Sequence, residues 1–137
     1  MIDVEVNLTP FELGGYNVAR RTPPFPYRTR GIVDTAAEQS CIRLGIAETL
    51  SLAPVDHARL RTALKEDRVG VYYVTLLLAW QQKQPPDPIP VRALAPPEVL
   101  GAEVLIGLDV LRFGEFVLFG PDSRFELLLP RDPGSDA

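Results

Sequence analysis

Gly31-Ile32-Val33-Asp34-Thr35-Ala36-Ala37-Glu38-Gln39-Ser40-Cys41-Ile42 is the most informative stretch of the chain. A short apolar strand delivers one carboxylate into a turn of small residues, after which the chain becomes apolar again. Small side chains at such a turn let a second backbone or a substrate come close. A second stretch, Val104-Leu105-Ile106-Gly107-Leu108-Asp109-Val110-Leu111, is an apolar strand broken by one glycine and followed by a helical turn. Each pattern taken alone recurs in many folds.

Outward from these two stretches the chain reads as short strands joined by turns. Ile2, Val4, Val6 and Leu8 alternate with Asp3, Glu5, Asn7 and Thr9, the period of a half-buried strand. Gly14-Gly15 is expected to turn the chain, and Thr22 to Tyr27, with three prolines, to form an extended surface loop. Cys41 to Leu52 has the spacing of one short helix, stopped before Pro54. Val55 to Arg68 fits either a helix or a hairpin arm. Val69 to Trp80, rich in Val, Tyr, Thr and Leu, predicts a strand buried on both faces. Gln81 to Pro90 carries four prolines and predicts a loop. Val91 to Leu94, Glu103 to Ile106, Phe116 to Phe119 and Phe125 to Leu129 are further strands, the last two joined by a turn at Gly120-Pro121-Asp122-Ser123. One domain is expected over residues 1–130, with 131–137 a frayed tail.

Composition narrows the chemistry. The 137 residues are 46% hydrophobic and 23% charged, with fourteen prolines, ten glycines and a formal charge of −4. An acidic chain lacks the basic field of a nucleic-acid binder, so no nucleic-acid partner is expected. Cys41 and His57 are single, which excludes an internal disulfide and Cys-rich or multi-histidine metal sites within one chain. The acidic start is unlike a signal peptide, and Val69 to Trp80 is far shorter than the roughly 20 residues of a membrane helix. The expectation is a cytoplasmic protein with no membrane partner.

In this order, and about 70 residues apart, the two stretches resemble the motifs of the retropepsin-like aspartic proteases. There, two apolar residues precede Asp-Thr-Gly-Ala, with Ser commonly three residues on; Asp34-Thr35-Ala36-Ala37 and Ser40 match at all but one position. The second motif, two apolar residues, Gly, any residue, Asp or Asn and further apolar residues, matches Leu105 to Leu111. The resemblance spans roughly Ile2 to Pro130, with an irregular insertion at Gly14 to Tyr27. It implies an all-β acid-protease protomer with one or two short helices, acting as a homodimer on peptide or protein substrates without cofactor or metal. Asp34 would be the catalytic aspartate, paired with its symmetry mate. Thr35 would lock the two active-site turns together, with Ala36 and Ala37 completing the turn and Glu38 and Ile106 contacting substrate.

The chain departs from this family at two places. Ala36 replaces the glycine after Thr, and the flap region, Arg59 to Val74, has Lys65-Glu66-Asp67 where the tip is expected, predicting a flap that is shortened, helical or less mobile. Two rivals follow: a catalytically impaired dimer that binds peptides or serves as a scaffold, and an unrelated all-β interaction module. The remaining polar residues have plain readings. Asp109 caps amides at a helix start, Ser40 is a turn residue, Cys41 is a small buried hydrophobe and His57 is solvated. Arg20-Arg21 and Arg28-Thr29-Arg30 form a solvated basic cluster. Tyr72, Tyr73 and Trp80 fill core or flap contacts.

Overall fold

Ile2, Val4, Val6 and Leu8 are each at most 3% exposed, as their alternation requires. They line one face of β1 (Ile2–Asn7), which pairs antiparallel with both β2 (Tyr27–Val33) and the long β5 (Glu66–Ala79). The computed structural model describes residues 1–61, 65–79, 87–99, 101–119 and 124–128. Its other strands are β3 (Cys41–Ile42), β4 (Asp56–Arg61), β6 (Ile89–Ala95), β7 (Val104–Ile106), β8 (Glu115–Phe119) and β9 (Arg124–Leu128). The sheet order is β1-β2-β7-β3-β6-β5-β4, and the additional β1–β5 pairing closes six strands into a barrel, with β4 beyond β5. β8 and β9 form a separate hairpin. The protein is therefore all-β. Among the described residues no helix is long and apolar enough to cross a membrane.

The long strand is buried on both sides over much of its length, as expected. Tyr72, Val74, Leu76 and Leu78 face the main core, while Val69 and Val71 join a second cluster with Cys41 and Leu94. Tyr73 departs from this pattern and is 50% exposed. Each large aliphatic side chain withdrawn from water contributes about 1.5–3 kcal/mol.

Three short helices complete the chain where one or two were expected: α1 (Pro10–Val18), α2 (Leu44–Thr49) and α3 (Leu108–Leu111). Gly14-Gly15 does not turn the chain but lies inside α1. Thr9 caps that helix by accepting from the Glu12 N–H and donating to Glu12 Oε1, and Pro10 opens its first turn. This capping pattern starts a helix that two glycines, at about 1 kcal/mol each, do not cancel. Cys41 to Leu52 is a two-residue strand followed by α2, rather than a helix throughout. Val55 to Arg68 is the hairpin arm: β4 pairs with β5 from Asp56 opposite Val71 to Arg61 opposite Glu66. Glu66-Asp67 consequently lie in the ladder and not at the tip.

Other boundaries shift with pairing. β2 begins at Tyr27, and β6 already begins at Ile89, with Pro90 in the ladder opposite Thr75. Proline is tolerated there because, among the described residues, β3 joins β6 only near Leu94, leaving the other edge of Pro90 without a ladder partner. The basic cluster is answered across β1, where Arg28 meets Glu5 and Arg30 meets Asp3 at 3.5 Å. The expected turn at 120–123, Trp80 and the tail 131–137 lie outside the described residues.

Candidate active site

β2 runs parallel to β7, with Ile32 opposite Leu105 and Val33 opposite Ile106. The Asp34 N–H continues that ladder by donating to the Ile106 carbonyl at 2.9 Å. The chain then re-enters the sheet as β3 on the other side of β7, antiparallel to it. The Asp34–Ser40 turn must therefore pass over the end of β7. At the crossing stands Gly107, where a Cβ would lie 2.8 Å from the Ala37 carbonyl oxygen and 2.9 Å from the Gln39 carbonyl carbon. Only glycine leaves room for this crossing, because both obstacles are backbone.

Hydrogen bonds fasten the two segments where they cross. The Leu108 N–H donates to the Ala37 carbonyl at 2.8 Å and the Asp109 N–H to the Glu38 carbonyl at 3.2 Å. Ser40, fully buried, donates from its Oγ to Asp109 Oδ1 at 2.6 Å and from its N–H to Asp109 Oδ2 at 2.9 Å. The same Oγ accepts from the Gly107 N–H at 3.0 Å. Asp109 also accepts from the Val110 N–H. Its helix-start role is thus the smaller part of what it does, and Ser40 is half of a buried clamp rather than an ordinary turn residue.

Asp34 itself is half-buried, and its Oδ1 accepts the Ala36 N–H at 2.9 Å. Thr35 and Ala36 at the turn's tip are exposed. Among the described residues only Arg20 and Ser51 are non-glycine residues with positive φ. Ala36 therefore occupies backbone that any residue adopts, and this turn does not require the family glycine.

The pairing registers assemble one row across the outer face of the sheet: Ile32, Leu105, Cys41, Leu94, Val71 and Asp56, one residue from each of six strands. Side chains alternate between faces along a strand, so Asp34, two residues after Ile32, emerges at the end of this face. Above the row lies a groove of about 590 Å³, lined by Asp34, Ala36, Ala37 and Glu38 on the turn side and by β4 and Arg92 on the other. Its floor is the second apolar cluster.

Asp34, Ala36, Ala37 and Glu38 come together here, with Thr35 at the adjacent tip. Ile106 does not: it is fully buried in the main core. The groove residue from β7 is Leu105, because a one-residue step on a strand changes face. Alternation of Val104 and Ile106 around Leu105 was the available signal.

Cys41 is 8% exposed, and its thiol is pushed up to about 11, chiefly by burial and then by the Asp109 and Asp34 carboxylates. It stays protonated near neutral pH and serves as packing. His57 is exposed. Its backbone N–H and Arg92, in that order among the lowering contacts, hold the Asp56 carboxyl below its ordinary value of 3.8.

A separate clasp ties β2 to β7 and α2. Glu103 accepts from Thr29 Oγ1 at 2.6 Å, from Tyr27 Oη at 3.2 Å and from Arg43 at 3.1 Å.

No family model and no curated protein matches this chain. Among solved structures, the solution structure of simian foamy virus (mac) protease is similar to it, with 16% sequence identity and a TM-score of 0.46. That similarity covers 79% of this chain and 90% of the other.

Proposed function

We propose that this chain is an aspartic endopeptidase of the retropepsin type, working as a homodimer with Asp34 and its symmetry mate as the catalytic pair. The observation that supports it best is the contrast within one crossing. The turn is fixed by the Ser40–Asp109 clamp and Gly107, while the Asp34 carboxylate stands at the end of a groove able to take a peptide. One protomer supplies one aspartate of this kind, and a two-fold axis supplies the second.

Two such carboxylates about 3 Å apart share a proton. The ionised one takes a proton from water, which attacks the peptide carbonyl carbon, and the protonated one donates to the developing oxyanion. Breakdown of the tetrahedral intermediate returns a proton to the leaving nitrogen. The exposed Thr35 at the turn tip suits a hydrogen bond across the dimer. Glu38 on the groove wall suits a contact with the substrate backbone.

A second reading keeps the fold and loses the chemistry, and Ala36 favours it: it lines the groove at the position where the resembling family has glycine. Turnover of a peptide library separates the two. Sedimentation at micromolar concentration is expected to give a dimer, and hydrolysis is expected to disappear in Asp34→Asn. A compact monomer, or cleavage by Asp34→Asn at the parental rate, would overturn the proposal.

A further inference from the structure

Three arginines are among the residues that line the groove opposite the turn. Arg59 and Arg61 share one carboxylate, Glu66, at 3.5 and 3.2 Å, and their side chains are more than four-fifths exposed. Arg92 is different. It follows the alternation of Leu94 on β6, so it stands on the same face as the apolar floor, and its side chain is 39% exposed. Its guanidinium donates to Asp56 Oδ2 at 2.9 Å, and Asp56, at the end of the six-residue row, is 62% exposed.

An ion pair with one water-facing carboxylate is weak and exchanges readily for an equivalent partner. A ligand carboxylate arriving over the apolar floor meets the same guanidinium in a less hydrated setting, where a planar fork can bind it with two hydrogen bonds. The turn side carries Asp34 and Glu38, which repel acids. Charge therefore varies along the groove: acidic beside the turn, apolar in the middle, basic at Arg92 on β6. Among the described residues β4 is also the last strand of the sheet, so an extended peptide can lie along that edge.

We propose that Arg92 is a specificity-determining residue that selects peptides carrying an acidic side chain beyond an apolar one, with Asp56 holding the guanidinium until the peptide carboxylate displaces it. This rests on the groove being a peptide site, as in the proposed function, but not on cleavage. Asp56 thereby acts as an internal competitor for the position that the acidic side chain takes.

The test reads binding and turnover separately. Fluorescein-labelled octapeptides with a central Leu-Leu carry Glu, Gln or Lys at each outer position in turn, and their affinity for the Asp34→Asn protein is measured by anisotropy. At one position the Glu peptide is expected to bind about fivefold tighter than its Gln partner, with Lys weakest. Adding Arg92→Gln is expected to erase that preference, and adding Asp56→Asn to enlarge it about two- to threefold. Equal affinities for Glu and Gln at every position, a Glu preference surviving Arg92→Gln, or no binding of any peptide would overturn the proposal. The unsubstituted Asp34 protein is then assayed for cleavage of the same set. Binding with Glu preference but no cleavage sinks the endopeptidase reading alone, and cleavage without Glu preference sinks the specificity proposal alone.

Discussion

Asp34 and Asp109 belong to the same crossing and have opposite surroundings. Asp34 directly follows β2, and Asp109 lies in α3, just beyond the parallel neighbour β7. Asp109 spends both oxygens on Ser40 and the Val110 N–H. Asp34 accepts one backbone N–H from its own turn and faces a groove. Residue type does not separate the two aspartates; the number of donors around each one does. A carboxylate surrounded by donors holds structure, whereas one with acceptor capacity left over is available for chemistry.

The largest expected effect is on turnover. Asp34→Asn keeps the side-chain shape and removes the carboxylate, so hydrolysis should fall by a factor on the order of 10²–10⁴ or more while the denaturation midpoint holds. Mixing equal amounts of this variant with the unsubstituted protein sharpens the point. If each site needs both chains, random pairing leaves about one quarter of dimers with two aspartates. Activity should then drop to about half of that shown by the unsubstituted protein diluted to the same concentration.

Substitutions on the other side of the crossing should act on stability first. Asp109→Ala strands the buried Ser40 hydroxyl and N–H, a loss of about 2–3 kcal/mol. Gly107→Ala pushes a methyl group against two backbone groups and should cost about 1–3 kcal/mol. Urea denaturation followed by circular dichroism reads both. A full loss of activity in Asp109→Ala with unchanged stability would break the contrast between the two aspartates.

Much of this contrast is legible in the sequence, and much is not. β1 was readable because one face meets the core and the other meets arginines, so Ile2 to Leu8 alternate cleanly. The two motifs that cross were readable because tight turns demand small residues. Ile106 was misjudged because local spacing does not say which of two adjacent residues on a short strand points inward. Packing of Val104 and Ile106 into the main core, with Leu105 against the second cluster, decides that. Gly14-Gly15 was misjudged because a capped helix start at Thr9-Pro10-Phe11-Glu12 outweighs two glycines. Glu66-Asp67 fall in the ladder because only the β4–β5 register places Glu66 opposite Arg61. Arg92 and Asp56 lie far apart in sequence, and only the sheet brings them together at one end of the groove.

A smaller effect is expected at Ala37. In the proposed pair of Asp34 carboxylates, a hydroxyl there can donate to the pair and favour the ionised form. The rate should be bell-shaped in pH, since the pair works with one shared proton, and Ala37→Ser should move the whole profile toward lower pH. An unchanged or upward-moved profile of kcat/KM would contradict a dyad bordered by this residue.

The smallest effect belongs to the clasp away from the groove. Hydrogen bonding from Thr29 first, then Tyr27 and Arg43, holds the Glu103 carboxyl below its ordinary value of 4.5 against the opposing effect of partial burial. A carboxyl lowered on folding stabilises the protein above its unfolded value, and that contribution fades as pH falls through the folded value. Glu103→Gln should therefore cost about 1 kcal/mol at neutral pH, discounted for its partial exposure, and progressively less below pH 4.5. Urea midpoints at neutral pH and at the acid end of the folded range measure the difference.

The proposed site shared by two chains is tested most directly by inhibitor stoichiometry. Pepstatin, whose hydroxyl stands in for the attacking water, is titrated into the protein by calorimetry at a concentration well above the dimer dissociation constant. One inhibitor per two chains, with binding lost in Asp34→Asn, is the expected result. One inhibitor per chain, or equal binding by Asp34→Asn, would contradict a catalytic pair formed by two copies of Asp34.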